Sequence, residues 1–342
     1  MNGKTVPGTL FRLANALWRV VRKTVPGTVF LLALIVPGTN FAQTKFPSRP
    51  VTIIVPYPAG GSNDTFAREL GKKLSDTWKI PVIVDNRPGA GGNIGAAVVS
   101  RAAPDGYTLC LLSSSFTTGA AIATNLPFDP VSGFAPVAMV AKGPMLLTVS
   151  NQLPVATTLE LFALARKNPG KLNFASSGTG STNHFATELL MDAAQIKMTH
   201  VPYKGMPPAI TDLIGGHVDV LIASAPSVYQ QVKAGKVRGL GVTSLGPSAV
   251  VPDLAPVAGM GAAGYSFELW WGILAPPKTP PEIVAQINAD VNRILATPEM
   301  KEVFLREGAE PVTMSPAQFA ATIKSEIEGW KKVAKASNIK AE

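Results

Sequence analysis

Two stretches of this sequence carry residue types suited to holding an anion. Tyr57-Pro-Ala-Gly-Gly-Ser-Asn-Asp64 closes an apolar run, Val51 to Val55, and opens an amphipathic one, Thr65 to Leu74. It reads as a strand-to-helix turn. Adjacent glycines reach dihedrals that a Cβ forbids and let a ligand approach the main chain. Ser62 or Asn63 is placed to cap the helix, leaving amide N–H groups without intrahelical partners and aimed outward. Such an end contributes about 0.3 to 1 kcal/mol toward a nearby anion, and about 2 kcal/mol in sheltered geometry. The design recurs downstream: strand candidate Leu172-Asn-Phe-Ala175, turn Ser176-Ser-Gly-Thr-Gly-Ser181, then Thr182 to Ala193 at helical spacing. Two such turns predict two walls of one site, with a small anion held between two lobes.

Reactive side chains offer less. There is no Gly-x-Ser-x-Gly elbow, no Gly-x-x-x-x-Gly-Lys-Ser/Thr phosphate loop and no His-Glu-x-x-His. Gly89-Ala-Gly-Gly-Asn-Ile94 approaches a dinucleotide fingerprint, but Ile94 stands at the third glycine position. It reads instead as a tight turn, with Arg87 bonding nearby carbonyls. His184, His200 and His217 are too far apart in sequence for a local metal motif, so neither metal nor cofactor is expected. His184, in the first turn after Ser181, either donates to a ligand oxygen or holds the turn. Ser181 is either a plain cap or a cap that also touches ligand. Asp64 and Arg68, four apart on one helix, suggest a surface ion pair. No pair of carboxylates converges for acid–base work. Cys110 lies in the apolar run Tyr107 to Leu112 and reads as a buried, inert thiol.

The elements that must position these turns follow from length and pattern. A chain of 342 residues, 46% hydrophobic and 15% charged, supports two domains with proper cores. The net charge of +9 is concentrated at the start: Lys4, Arg12, Arg19, Arg22 and Lys23 precede any acid, leaving 26 basic against 22 acidic residues, or +4, for the rest. That is an ordinary surface, and no basic cluster is interleaved with aromatics, so no nucleic-acid partner is expected. Residues 1–42 read as an export leader with apolar core Val29 to Val36, too short to span a bilayer, and cleavage near Ala42. Beyond it, short apolar runs alternate with helical patterns, predicting an α/β protein with a largely parallel sheet. Ser113-Ser-Ser115 ends one strand, where hydroxyls collect at the carboxyl edge. Thr157 with Glu160, Thr279 with Glu282 and Ser315 with Gln318 have capping-box spacing, the last two opening terminal helices Pro281 to Ala296 and Pro316 to about Ser337.

Taken together, these motifs resemble the Bug family of periplasmic solute receptors, the substrate-binding components of tripartite tricarboxylate transporters. The resemblance runs from about Phe46 to the C-terminus. It is carried by Ile53 to Asp64 with Ala67-Arg68, Asp85 to Gly95, Pro104-Asp-Gly-Tyr107, Leu126 to Pro130, Ser176 to Ser181 with His184, Val201-Pro-Tyr-Lys-Gly205 and Val232 to Lys236, in that order. It implies two α/β lobes of the type II, Venus-flytrap kind joined by a hinge: residues 43–147 and 263–342 in one lobe, 148–262 in the other. It implies a periplasmic, monomeric, non-enzymatic protein that binds a small carboxylate and serves integral membrane subunits or a sensor. Carried over residue by residue, Tyr57, Pro58, Ala59, Gly60, Gly61 and Asn63 form the first wall, with Ser113 and Ser114 beside it. Ser176, Gly178, Thr179, Gly180, Ser181 and His184 form the second. Relatives that take amino acids often place an acid or amide where this chain has Ala223 and Ser224. The ligand expected here is therefore a di- or tricarboxylate or an aromatic acid without an amino group. The alternative is an exported hydrolase or lyase, with His184 as base and Ser176 or Ser181 as nucleophile.

Overall fold

The computed structural model describes residues 46–340, so the leader reading of residues 1–42 lies outside the described residues. Among the described residues there are ten strands: β1 Val51–Val55, β2 Val82–Asn86, β3 Thr108–Ser113, β4 Ala135–Ser150, β5 Asn173–Ser176, β6 Thr199–Pro202, β7 Val220–Ser224, β8 Val237–Val242, β9 Glu268–Ala275 and β10 Glu310–Pro311. Their order is β2-β1-β3-β9-β4-β7-β5-β6, with β8 and β10 also paired to β4. The sheet is mixed rather than largely parallel, because β4 and β9 run antiparallel to their neighbours. The sequence pattern shows only the Met145–Val149 part of β4. The strand in fact begins at Ala135, where Pro136, Lys142 and Pro144 interrupt the apolar run.

β4 joins two halves. Ala135 to Pro144 pair with β9, and Met145 to Ser150 pair with β7 and β8. Each half is buried on both faces, as the period of two requires. Ile53 and Trp271 enter one core and their neighbours Ile54 and Trp270 the other. In the second half Leu147 and Leu146 divide in the same way. Full burial of each such side chain contributes about 1.5–3 kcal/mol.

Helices cover these faces. Ser62–Trp78 buries Phe66, Leu70 and Leu74 at a four-residue spacing, stacks Phe66 on Phe304 at 4.3 Å, and ends where Lys79 turns left-handed at φ 58°. Pro316–Ala336 serves both halves: Phe319, Ile323 and Ile327 pack in the first, and Ala334 in the second. The capping boxes at Thr157 and Ser315 are formed. The third is not, since Thr279 bonds Pro276 O and Pro280 is the cap residue of Pro281–Leu295. Two helices lacked a sequence signal long enough to stand out, Ser115–Ile122 and Pro298–Arg306. Among the described residues no helix is long and apolar enough to cross a membrane.

Candidate functional site

The pairing register places the two turns. β3 and β4 both run antiparallel to β9, and β7 runs antiparallel to β4. The carboxyl ends of β3 and β7 therefore point toward each other. Ser113 stands opposite Trp271, itself opposite Ala141, while Ser224 stands opposite Met145. The four residue steps from Ala141 to Met145 span about 13 Å. Since β1 is parallel to β3 and β5 to β7, the turns after β1 and β5 open at the same junction.

In the first wall, Gly61 is the cap residue of the helix and supplies no side chain; Ser62 and Asn63 are its first residues, not caps. Asp64 and Thr65 return their N–H groups to Gly61 O, which leaves the amides of Ser62 and Asn63 without intrahelical acceptors. Asp64 is buried rather than on the surface. Its carboxylate accepts Gly60 N–H at 3.0 Å, Arg68 Nε at 3.0 Å and Asn86 Nδ2 at 3.0 Å. Burial pushes this carboxyl up, but the bonds from Arg68, Gly60 and Asn86 outweigh it and hold it below the ordinary value. Arg68 is thereby engaged, donating also to Asn86 Oδ1 at 3.0 Å. Arg87 pairs with Asp85 at 2.8 Å rather than with carbonyls.

Beside this turn three hydroxyls meet. Tyr57 Oη lies 2.7 Å from Ser115 Oγ and accepts from Ser113 Oγ at 3.3 Å, and Ser113 and Ser115 are 3.0 Å apart. Burial pushes the Tyr57 phenol up, so it remains a neutral donor. Gly92 sits against the Tyr57 ring, where a Cβ would come within 3.4 Å. Ser114 Oγ and Asn63 Oδ1 are buried without a protein partner. Pro58, Ala59, Gly60 and Gly61 are exposed at the turn.

In the second wall, Ser181 caps the helix Thr182–Ala194, its hydroxyl accepting His184 N–H and its carbonyl Phe185 N–H. The amides of Thr182 and Asn183 are left open at the helix start. His184 is buried. Its Nδ1 accepts Gly180 N–H at 3.2 Å and its Nε2 faces Glu188 at 3.5 Å, so in this structure the ring holds the turn. Ser177 Oγ donates to Asn183 Oδ1 and Asn183 Nδ2 to Ile222 O, tying the turn to β7. Tyr203 N–H and Gly205 N–H reach Ser176 O and Ser177 O, bracing it from β6. Thr179 lies at its partly exposed tip, between Gly178 and Gly180.

Two expected residues lie at the carboxyl end of β7, which faces that of β3 at the junction, and neither bonds to the turns themselves. Ala223 is fully buried in the core with Leu146 and Leu213. Ser224 precedes the helix Ala225–Lys233 and bonds Ser227 at 2.7 Å. Sequence reasoning passed over His200, which lies in β6 and stacks on His184 at 3.8 Å; nothing in sequence spacing announces that contact. Cys110 is buried, and burial pushes its thiol up. No group of three or more His, Cys, Asp or Glu among the described residues is placed to hold a metal ion.

Two α/β halves linked by a crossing strand, with helix starts facing the junction, define the periplasmic solute-binding protein class. The chain belongs to the tripartite tricarboxylate transporter family of receptors, whose TctC model matches residues 66–339. It is similar to protein BugT of Bordetella pertussis, at 35% identity over 86% of this chain and 91% of that one. Among solved structures it is similar to R. palustris Rpa4515 with adipate, at 34% identity, TM-score 0.76, and 86% and 99% coverage. It is also similar to MatC of Rhodopseudomonas palustris with bound malate, at 32% identity, TM-score 0.70, and 84% and 99% coverage.

Proposed function

We propose that this receptor captures a small organic acid without an amino group in the periplasm, as a di- or tricarboxylate or an aromatic acid, and presents it to the membrane subunits of a tripartite transporter. The observation that carries the reading is the pair of open helix starts, Ser62-Asn63 and Thr182-Asn183, at facing sheet edges whose nearby carboxylates are already engaged. Arg68 is held by Asp64, and Glu188 faces His184. An ammonium group would find no free carboxylate on either turn, whereas a carboxylate would meet main-chain amides and the Tyr57, Ser113 and Ser115 hydroxyls. Adipate and malate in the similar receptors agree with this chemistry.

In this reading residues 43–147 and 263–342 form one lobe and 148–262 the other, residues 1–42 direct export, and the mature chain works as a monomer. Capture rather than turnover is supported by Ser176: its hydroxyl is fully buried and accepts Gly178 N–H, leaving it no approach to a substrate carbonyl. Native mass spectrometry of protein from its host, with a thermal-shift panel of organic and amino acids, tests the proposal. An unchanged acid held one to one supports it. Stabilisation by aspartate or glutamate alone, or turnover of the bound molecule, refutes it.

A further inference from the structure

His200 is 24 residues from Ser176 in sequence, yet its Nε2 lies 2.6 Å from Ser176 Oγ. Its ring stacks on His184, centroids 3.8 Å apart and planes 19° from parallel, and on Phe174 at 4.9 Å and 21°. The two imidazoles act on alternate amides of one turn. Ser176 Oγ accepts Gly178 N–H at 3.1 Å, and His184 Nδ1 accepts Gly180 N–H at 3.2 Å. Ser181 N–H is taken by Gly178 O at 3.1 Å. Those three amides are engaged within the protein, while the N–H groups of Thr179, Thr182 and Asn183 take no part in these bonds.

This alternation has to be enforced. Gly178 at φ +131° and Gly180 at φ +77° belong to a flexible backbone with many competing conformations. A serine hydroxyl rotates freely unless a second partner fixes it. His200 is that partner in either tautomer. With Nε2 bare, Ser176 donates to His200 and accepts from Gly178. With Nε2 protonated, Ser176 accepts from both and donates to Gly178 O, 3.1 Å away. Both arrangements keep Gly178 N–H inward, and the stacked face keeps the His184 ring aligned with Gly180.

We propose that His200 is a positioning residue for solute binding: by fixing Ser176 and stacking on His184, it sets which amides of the turn 176–181 face the cleft. The assignment rests on reading that turn as one wall of the solute site. Its test uses the full mature chain, free of solute, with amide hydrogen exchange followed by NMR in wild type, His200→Phe and His200→Gln. Phenylalanine keeps a flat ring and loses the nitrogen; glutamine restores a polar group. The His200→Phe protein should exchange Gly178 N–H about tenfold faster and bind adipate or malate about tenfold more weakly, with partial recovery of both in His200→Gln. Unchanged Gly178 exchange in His200→Phe overturns the assignment. Should that variant fail to fold, nitrogen-15 shifts of wild-type imidazoles decide: an unprotonated His184 Nδ1 agrees, a protonated one contradicts. Failure of every organic acid to bind wild type would refute the proposed function, while the exchange rates would still decide for or against His200.

Discussion

Ile122 occupies the space that a side chain on Gly180 would need: a Cβ built on Gly180 meets Ile122 Cδ1. Ile122 ends the helix that follows β3, and Gly180 lies in the turn that follows β5, so the contact joins the two halves beside the site. Gly180→Ala adds a left-handed strain of about 1–2 kcal/mol, and the free end of the Ile122 side chain must turn aside to admit the Cβ. Affinity for an organic acid should fall about tenfold to a hundredfold by calorimetric titration. Adding Ile122→Ala should return the steric share and leave the dihedral share. A double variant no better than Gly180→Ala would show that this contact does not limit binding.

Gly60 offers the contrast. Its φ is +87°, but a Cβ there meets nothing within 4 Å. Gly60→Ala should therefore cost only the dihedral strain, about 1–2 kcal/mol, and weaken binding less than Gly180→Ala. Equal losses in the two variants would mean that Gly60 approaches the solute itself.

Much of this arrangement was legible in the sequence. The glycine pairs, the helix starts after them and the boundaries of most strands follow from local chemistry, which acts over a few residues. What escaped was long-range. The antiparallel course of β4 and β9 is set by chain crossing, not by their apolar runs. Asp64 and Arg68 have helix-surface spacing, yet Asn86 and Gly60 close over the carboxylate. His184 and His200 meet only because β5 and β6 pair in parallel, with Phe174 opposite His200. Ser115, the first residue of an unforeseen helix, completes the Tyr57 hydroxyl cluster.

Asp64 should make the first turn acid-sensitive. Its folded carboxyl is held below the ordinary value of 3.8, so its stabilising contribution is complete above that value and is lost as pH falls through the folded one. Asp64→Asn should lower the melting temperature at pH 7, with the gap to wild type narrowing as pH drops below about 4. Melting curves over pH 3 to 7 check this. A gap that stays constant would assign the loss to packing rather than charge.

Glu326 has the opposite sign. It lies on the long terminal helix, where one carboxylate oxygen accepts both Thr117 Oγ1 and Trp270 Nε1 at 2.8 Å. Burial raises its carboxyl above the ordinary value despite those bonds. The charged form is therefore disfavoured in the fold, and stability falls as pH rises through the raised value. Glu326→Gln keeps an oxygen for both donors and removes the charge. It should raise the melting temperature by about 2–4 °C at pH 7.5 and make little difference at pH 4. A variant less stable than wild type at both pH values would contradict this.

The most direct measurement is a crystal structure of the protein with the acid that co-purifies from its host. A carboxylate lying against the open amides of Ser62 and Asn63 on one side and of Thr179, Thr182 and Asn183 on the other is the predicted result. A solute seated away from both turns, or gripped by arginine and lysine side chains in place of main-chain N–H groups, would contradict the account.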